Sequence, residues 1–185
     1  MAAASDEKTV DLLSLHMGFY LASWGMMCKS TALLQYDCKV HVPAVRAVLK
    51  HHVLYGQGLD ALCEQKAALA GLCDDITAAY TDEENQLRQF ESVSDILVSK
   101  VILGTLGITP AYDRNVKQAV KAYDISADTF SPKSFRMLAH YFAEKHADTT
   151  ARMTKEMQKL CPYYTRVKVI NGILWVLGRN VGAKA

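Results

Sequence analysis

Apolar residues recur at intervals of three and four along most of this chain, which is the spacing of one face of an α-helix. In the first such stretch Val10, Leu13 and Met17 follow this spacing, and Ser5 is a candidate N-cap. The stretch therefore predicts an amphipathic helix that ends near Gly25.

Caps and helix breakers divide the rest of the chain. Thr81 and Glu84 have the spacing of a capping box. Thr109 and Ser131 each precede a proline, a residue favoured at the first helical position. The alternating residues 37–42 predict a short extended segment. Residues 30–36 form a second short piece. Further helices are predicted over residues 43–53, 59–80, 81–90, 94 to 104 or 107, 110–122, 132–146 and 148–160, with a last one that follows Pro162 and ends at Gly178.

Composition agrees with this helical pattern. The chain has 185 residues, of which 50% are hydrophobic and 22% charged, with few Gly and Pro. This balance excludes a disordered or collagen-like chain, and the length suits one domain. We expect an all-α protein, a single compact domain of about eight or nine short helices over residues 5–180, with disordered tails at 1–4 and 181–185.

Charge is divided unevenly along the chain, although the net charge is only +2. Residues 1–95 carry 7 Lys and Arg against 13 Asp and Glu, whereas residues 96–185 carry 14 against 6. Acidic residues concentrate between Asp74 and Asp95. A surface of one sign attracts an oppositely charged partner, so the asymmetry points to a polyanion or a basic protein. The alternative is that the acidic and basic halves pair with each other.

Cysteine usage and the N-terminus bear on location. The five cysteines include no CxxC pair, and an odd number favours reduced thiols and a cytoplasmic protein. The acidic N-terminus lacks the basic region of a signal peptide, and no apolar stretch is long enough to cross a membrane. We expect no membrane association.

Lys100 and Asp113 are the candidate catalytic residues. Lys100 is flanked by apolar residues at helical spacing, so its ammonium starts inside an apolar face, where desolvation favours nucleophilic or basic chemistry. Asp113 falls in the first turn of the helix that Pro110 opens, where it could orient a water molecule or a cation. The alternatives are a Lys100 stem that extends to solvent and an ordinary first-turn acid.

Two helices carry rows of like charge at i, i+3 and i+7. Such rows cost each helix a few tenths of a kcal/mol per pair, so an external anion is a reasonable explanation, and a nucleic-acid backbone is the obvious one. The alternative is a solvated face, or pairing with the acidic stretch. The candidate nucleic-acid-binding residues are Arg114, Lys117 and Lys121 in one row and Arg152, Lys155 and Lys159 in the other.

The sequence lacks the residue spacings of common metal, nucleotide and hydrolase sites. His51 and His52 are adjacent and do not have the i, i+4 spacing of a helical metal site, and His52 is expected to be a buried core residue. The sequence has no phosphate-binding glycine motif, GxSxG motif or HExxH motif. No metal and no cofactor is therefore expected.

Two blocks of sequence carry a resemblance. Phe19–Met26 (FYLASWGM) and Ser99–Arg114 (SKVILGTLGITPAYDR) resemble the signatures of a family of uncharacterised bacterial all-helical proteins, which implies a helical fold and no particular activity. More remotely, the order of Lys, apolar helix, Gly, Pro and Asp is similar to that of helix-hairpin-helix DNA glycosylases. That likeness implies Lys100 as the nucleophile and Asp113 as the assisting acid.

The sequence thus leaves three hypotheses. The first is a nucleic-acid-associated protein that binds through the basic C-terminal half, with Lys100 and Asp113 as a site. The second is a non-catalytic interaction or inhibitor protein that meets a basic partner through Asp74 to Asp95. The third is base excision by a DNA glycosylase-like activity.

Overall fold

The computed structural model describes residues 6–27, 32–58, 64–81, 93–125, 127 and 129–183. Within these residues the regular structure is helical throughout, with no strand, and this confirms the all-α prediction. Three short 3-10 turns accompany eight α-helices: α1 (Glu7–Ser23), α2 (Val42–Lys50), α3 (Lys66–Thr81), α4 (Asp95–Thr105), α5 (Arg114–Ala122), α6 (Pro132–Lys145), α7 (Ala147–Leu160) and α8 (Arg166–Gly182).

The helices form two compact units. Unit 1 comprises Met1–Val53 and Ala67–Thr105 and holds α1, α2, α4 and nearly all of α3. Unit 2 comprises Leu54–Lys66 and Leu106–Ala185 and holds α5 to α8.

In unit 1, α1 packs against α2, α4 and the 3-10 turn Cys38–His41. A Cβ atom at Gly104 of α4 would overlap the ring of Tyr20, so only glycine lets α1 approach α4 this closely. Tyr20 and Gly104 belong to the two sequence blocks that carry the family resemblance. Each block therefore supplies one side of a single helix contact.

In unit 2, α5 and α8 pack against each other at Gly178, where a Cβ atom would overlap the carbonyl oxygen of Asn115. The sequence predicts that the last helix ends at Gly178, and this prediction is wrong, because α8 continues to Gly182. The glycine serves helix packing and not termination. Val181 and Gly182, which are predicted to lie in the C-terminal tail, are therefore part of α8.

The start of α5 also differs from the prediction. The sequence predicts a helix from Pro110, whereas α5 begins at Arg114. The backbone N–H of Ala111 donates to the side chain of the buried Asn171 at 2.9 Å, and Pro110 to Tyr112 are buried and lie outside any helix. A contact 60 residues away along the chain overrides the local Thr-Pro signal.

The predicted extended segment at 37–42 is likewise wrong, since Cys38–His41 is a 3-10 turn. Asp37 caps it by accepting the N–H of Lys39 at 2.8 Å. The Ser131-Pro132 signal, in contrast, is confirmed, because Ser131 caps α6. Ser5, residues 59–63 and residues 82–90 of the predicted helix 81–90 lie outside the described residues, and Thr81, its expected N-cap, is the last residue of α3.

Candidate nucleic-acid interface

Lys100 lies inside unit 1, on α4, and is only 5% exposed. Its Nζ donates to the carbonyl oxygen of Trp24 at 2.9 Å and lies 5.6 Å from the centre of the Trp24 ring. Trp24 is the C-cap of α1, where carbonyl groups lack partners within the helix. The apolar placement of Lys100 is confirmed and its extension to solvent is wrong. In this structure the ammonium caps a helix.

Asp113 is the N-cap of α5 and not a first-turn residue, because the helix begins later than predicted. Its carboxylate accepts the backbone N–H of Val116 at 3.0 Å. The contacts of Asp113, like those of Lys100, are those of a capping group. Their catalytic roles stay a prediction, which borohydride trapping of Lys100 on damaged DNA would test.

The first basic row, here the α5 row, consists of Arg114, Lys117 and Lys121. Arg114 and Lys121 are exposed and Lys117 is half-buried. The opposite side of α5, formed by Val116, Ala119 and Val120, is buried. The spacing predicted from the sequence therefore places these cations on one outer face of α5.

The second row, here the α7 row, consists of Arg152, Lys155 and Lys159, all exposed. Lys159 forms an ion pair with Glu156 at 2.7 Å. Across the residues that the structure describes, this is the single ion pair made by any member of the two rows. Five of the six cations thus have no carboxylate partner in that part of the chain.

Arg166 is a further cation that contacts α7, but at the buried Thr150, which helical geometry places on the opposite side from the exposed α7 row. It is exposed, and its Nε donates to the buried Thr150 of α7 at 2.9 Å. This hydrogen bond fixes the guanidinium against the helix that carries the α7 row. The sequence analysis missed Arg166, because nothing in the local pattern links it to a helix 16 residues earlier.

The acidic stretch between Asp74 and Asp95 is described only in part. Asp75 lies 2.8 Å from both Lys50 Nζ and His51 Nε2, and these hydrogen bonds lower the pKa of its carboxyl group. Asp74 and Asp95 are exposed, and burial, aided by these two charges, raises the pKa of the Cys73 thiol to about 12. Asp82, Glu83, Glu84 and Glu91 lie outside the described residues.

The buried histidine is His41, and the prediction for His52 is wrong. His52 is exposed and its Nδ1 lies 3.0 Å from the carbonyl oxygen of Leu49. His41 is fully buried beneath Gly18, with Nδ1 2.8 Å from the hydroxyl of Tyr80. Burial lowers the pKa of His41 to about 4, so the imidazole is neutral at physiological pH.

The described residues include no cluster of His, Cys, Asp and Glu that could hold a metal ion. Cys38, Cys73 and Cys161 are free thiols. None of the described helices is long and apolar enough to span a membrane.

No family model matches the chain, and neither the curated proteins nor the solved structures include a significant match.

Proposed function

We propose that this protein binds nucleic acid through the α5 row and the α7 row of unit 2. The observation that supports the proposal is that five of the six cations lack an ion-pair partner among the described residues. The described acids of the predicted acidic stretch do not supply one, since Asp75 is engaged by Lys50 and His51.

Energetics favour an external anion over a bare solvated face. Like charges at i, i+3 and i+4 destabilise a helix by a few tenths of a kcal/mol per pair. A phosphate backbone reverses this cost, because each neutralised phosphate also releases condensed counterions. Six contacts would give a plot of log affinity against log salt with a slope of about −5 on duplex DNA.

The test is fluorescence anisotropy with labelled duplex and single-stranded oligonucleotides between about 50 and 200 mM salt. We expect affinity to fall steeply with salt. In the variant R152A/K155A/K159A the duplex slope should become shallower by about 3. Absence of binding at 50 mM salt would exclude the proposal.

The matched control removes three charges from unit 1. Lys8, Lys39 and Arg46 are exposed, and the variant K8A/K39A/R46A has the same net charge as the α7-row variant. We expect it to bind with the wild-type slope. Equal losses in the two variants would show that only overall charge matters.

A cytoplasmic location is part of the proposal and is supported by the odd number of cysteines, five in the chain. The same proposal covers DNA and RNA, because both present the phosphate backbone. Parallel titrations with DNA and RNA oligonucleotides of one sequence decide between them.

A second candidate function is capture of a basic protein by the acidic surface. It is favoured by Asp74 and Asp95, which come from different helices and act on the same Cys73 thiol. The variant D74K/D95K should then lose salt-sensitive binding to polylysine, whereas D6K/D11K, which reverses two exposed acids of α1, should keep it. Equal binding by both variants would remove this candidate.

A further inference from the structure

We propose that Tyr163 is a base-stacking platform at the end of the α7 row, and that the bound nucleic acid is therefore a single strand. This inference rests on the proposed function of the α7 row. It adds the class of nucleic acid and a side chain that touches bases and not phosphates.

Tyr163 is 73% exposed and follows Lys159 by four residues, just beyond the end of α7. A solitary exposed apolar side chain is common and by itself shows nothing. Here a second one, Leu160 at 82%, falls between Lys159 and Tyr163 in the sequence. Cations followed by an exposed aromatic side chain form the combination that single-strand-binding surfaces use.

The backbone on both sides of Tyr163 is held in place. The N–H of Tyr164 donates to the carbonyl of Cys161 at 2.9 Å, and the side chain of Gln158 donates to the carbonyl of Tyr164 at 3.0 Å. Pro162 restricts the turn further, because its ring fixes φ. A ring on such a turn loses little conformational entropy when a base stacks on it.

The segment after the turn is also anchored. Thr165 caps α8 by accepting the N–H of Lys168 at 3.3 Å, and its own hydroxyl donates to the carbonyl of Gly107 at 2.7 Å. The exposed ring therefore projects from a turn that both α7 and α8 fix. It is not part of a free loop.

The dimensions suit a short stretch of single strand. From Arg152 to Lys159 the helix rises about 10 Å, which is roughly three nucleotides at the 3.4 Å spacing of a stacked strand. In a duplex the faces of the bases are covered by their neighbours. In a single strand each base offers a face, so stacking on Tyr163 favours single strands over duplexes.

The ion pair between Lys159 and Glu156 does not block this use of the row. Both side chains are more than half exposed, and such a pair contributes at most about 1 kcal/mol. Lys159 can therefore exchange the carboxylate for a phosphate.

The experiment compares labelled oligo(dT) with a duplex on wild type, Tyr163→Ala and Tyr163→Phe, with oligo(U) as a parallel arm for RNA. We expect Tyr163→Ala to weaken oligo(dT) or oligo(U) binding by about fivefold or more. Its salt slope and its duplex affinity should not change, because no phosphate contact is lost. Tyr163→Phe keeps the ring and should bind like wild type.

Two controls separate stacking from other causes. Phe19→Ala removes an aromatic side chain that is 67% exposed on α1 of unit 1, far from either row in sequence, and should leave binding unchanged. The α7-row variant should reduce the oligo(dT) slope by about 2, which Tyr163→Ala must not do. Thermal melting checks that Tyr163→Ala is folded.

The outcomes distinguish this inference from the proposed function. Salt-dependent wild-type binding together with wild-type affinity of Tyr163→Ala would overturn the platform and leave the basic rows supported. An equal loss on duplex and single strand would also overturn it. If the wild type binds no oligonucleotide at about 50 mM salt, both the platform and the proposed function fail.

Discussion

The two units differ in whether they bury basic side chains. Unit 1 buries two of them, Lys100 against the end of α1 and His41 against Tyr80. Among the described residues of unit 2, the buried polar side chains are all neutral, and most of the cations are exposed. The buried polar residues are Thr109, Ser134, Thr150, Thr154 and Asn171. Among the described residues, the buried basic side chains thus belong to unit 1, whereas the cations of unit 2 are exposed or half-buried.

This difference warns against reading chemistry from residue type alone. Lys100 attracts attention in the sequence because it lies on an apolar face, and that same burial is what lets it cap α1. The spacing of the cations in unit 2 is visible in the sequence. Their lack of ion-pair partners is visible only in the structure.

The chain offers a convenient way to compare the units experimentally. It has two tryptophans, Trp24 in unit 1 and Trp175 in unit 2. In a Trp175→Phe background fluorescence reports on unit 1, and in a Trp24→Phe background it reports on unit 2.

Gly178→Ala should disrupt the packing that holds the α5 row in place. Because the new methyl group would overlap the backbone of Asn115, we expect unit 2 to lose more than about 3 kcal/mol in free energy of unfolding. Denaturant unfolding in the Trp24→Phe background measures the loss.

Gly172→Ala is the matched control, since it lies on the same helix with no atom near the new methyl group. It should stabilise unit 2 by about 0.5–1 kcal/mol, because alanine has the higher helix propensity. Similar effects of the two substitutions would contradict the packing role of Gly178.

Unit 1 should be the acid-sensitive unit. The pKa of His41 is about 4 in the folded protein and 6.5 when unfolded, so its contribution to stability is complete above pH 6.5 and is lost as pH falls towards 4. We expect a loss of about 3 kcal/mol at pH 4. Unfolding of the Trp175→Phe background at a series of pH values measures it.

His41→Gln, which does not titrate, should make this pH dependence shallower. His52→Gln, at an exposed histidine, should leave it as in wild type. A wild-type slope in His41→Gln would show that the acid sensitivity arises elsewhere.

Lys100→Met tests whether the buried ammonium stabilises unit 1. The substitution keeps an apolar stem of similar size but leaves the carbonyl of Trp24 without this donor, so we expect a loss of about 1–3 kcal/mol. Unfolding in the Trp175→Phe background measures it, and Lys117→Met on α5 is the control. Unchanged stability of Lys100→Met would remove the contrast between the units.

Glu156→Gln should have the smallest of these effects, an increase in oligonucleotide affinity. It releases Lys159 from its ion pair and removes a negative charge from the α7 row, so oligonucleotide affinity should rise about two- to fivefold. Anisotropy titration measures the change. Glu144→Gln, on α6, removes one charge away from the row and is the control; an equal gain there would mean that net charge alone is responsible.

Much of the fold is predictable because its signals are local. The three- and four-residue apolar spacing and the Ser131-Pro132 cap need no distant contact, and the structure follows them. The errors occur where a distant residue decides. Asn171 binds the backbone of Ala111, which lies outside α5, and Asn115 packs against Gly178, which is not the end of α8.

The candidate site divides in the same way. The two rows of cations follow from helical spacing, so the sequence predicts their faces correctly. Arg166, which binds Thr150, and Tyr163, which projects from a held turn, depend on how chain segments meet and have no local signature. The contact of Lys100 with Trp24 also joins distant parts of the sequence, whereas Asp113 caps its own helix through Val116, three residues along the chain.

The hydrogen bond between Ala111 and Asn171 joins two residues that are synthesised several seconds apart. At 5–20 residues per second, the 60 residues between them take about 3 to 12 s to translate. During that interval α5 has emerged without α8, and its Val116, Ala119 and Val120 have no helix to cover them. The nascent chain therefore carries an exposed apolar surface that a chaperone could hold until α8 is made.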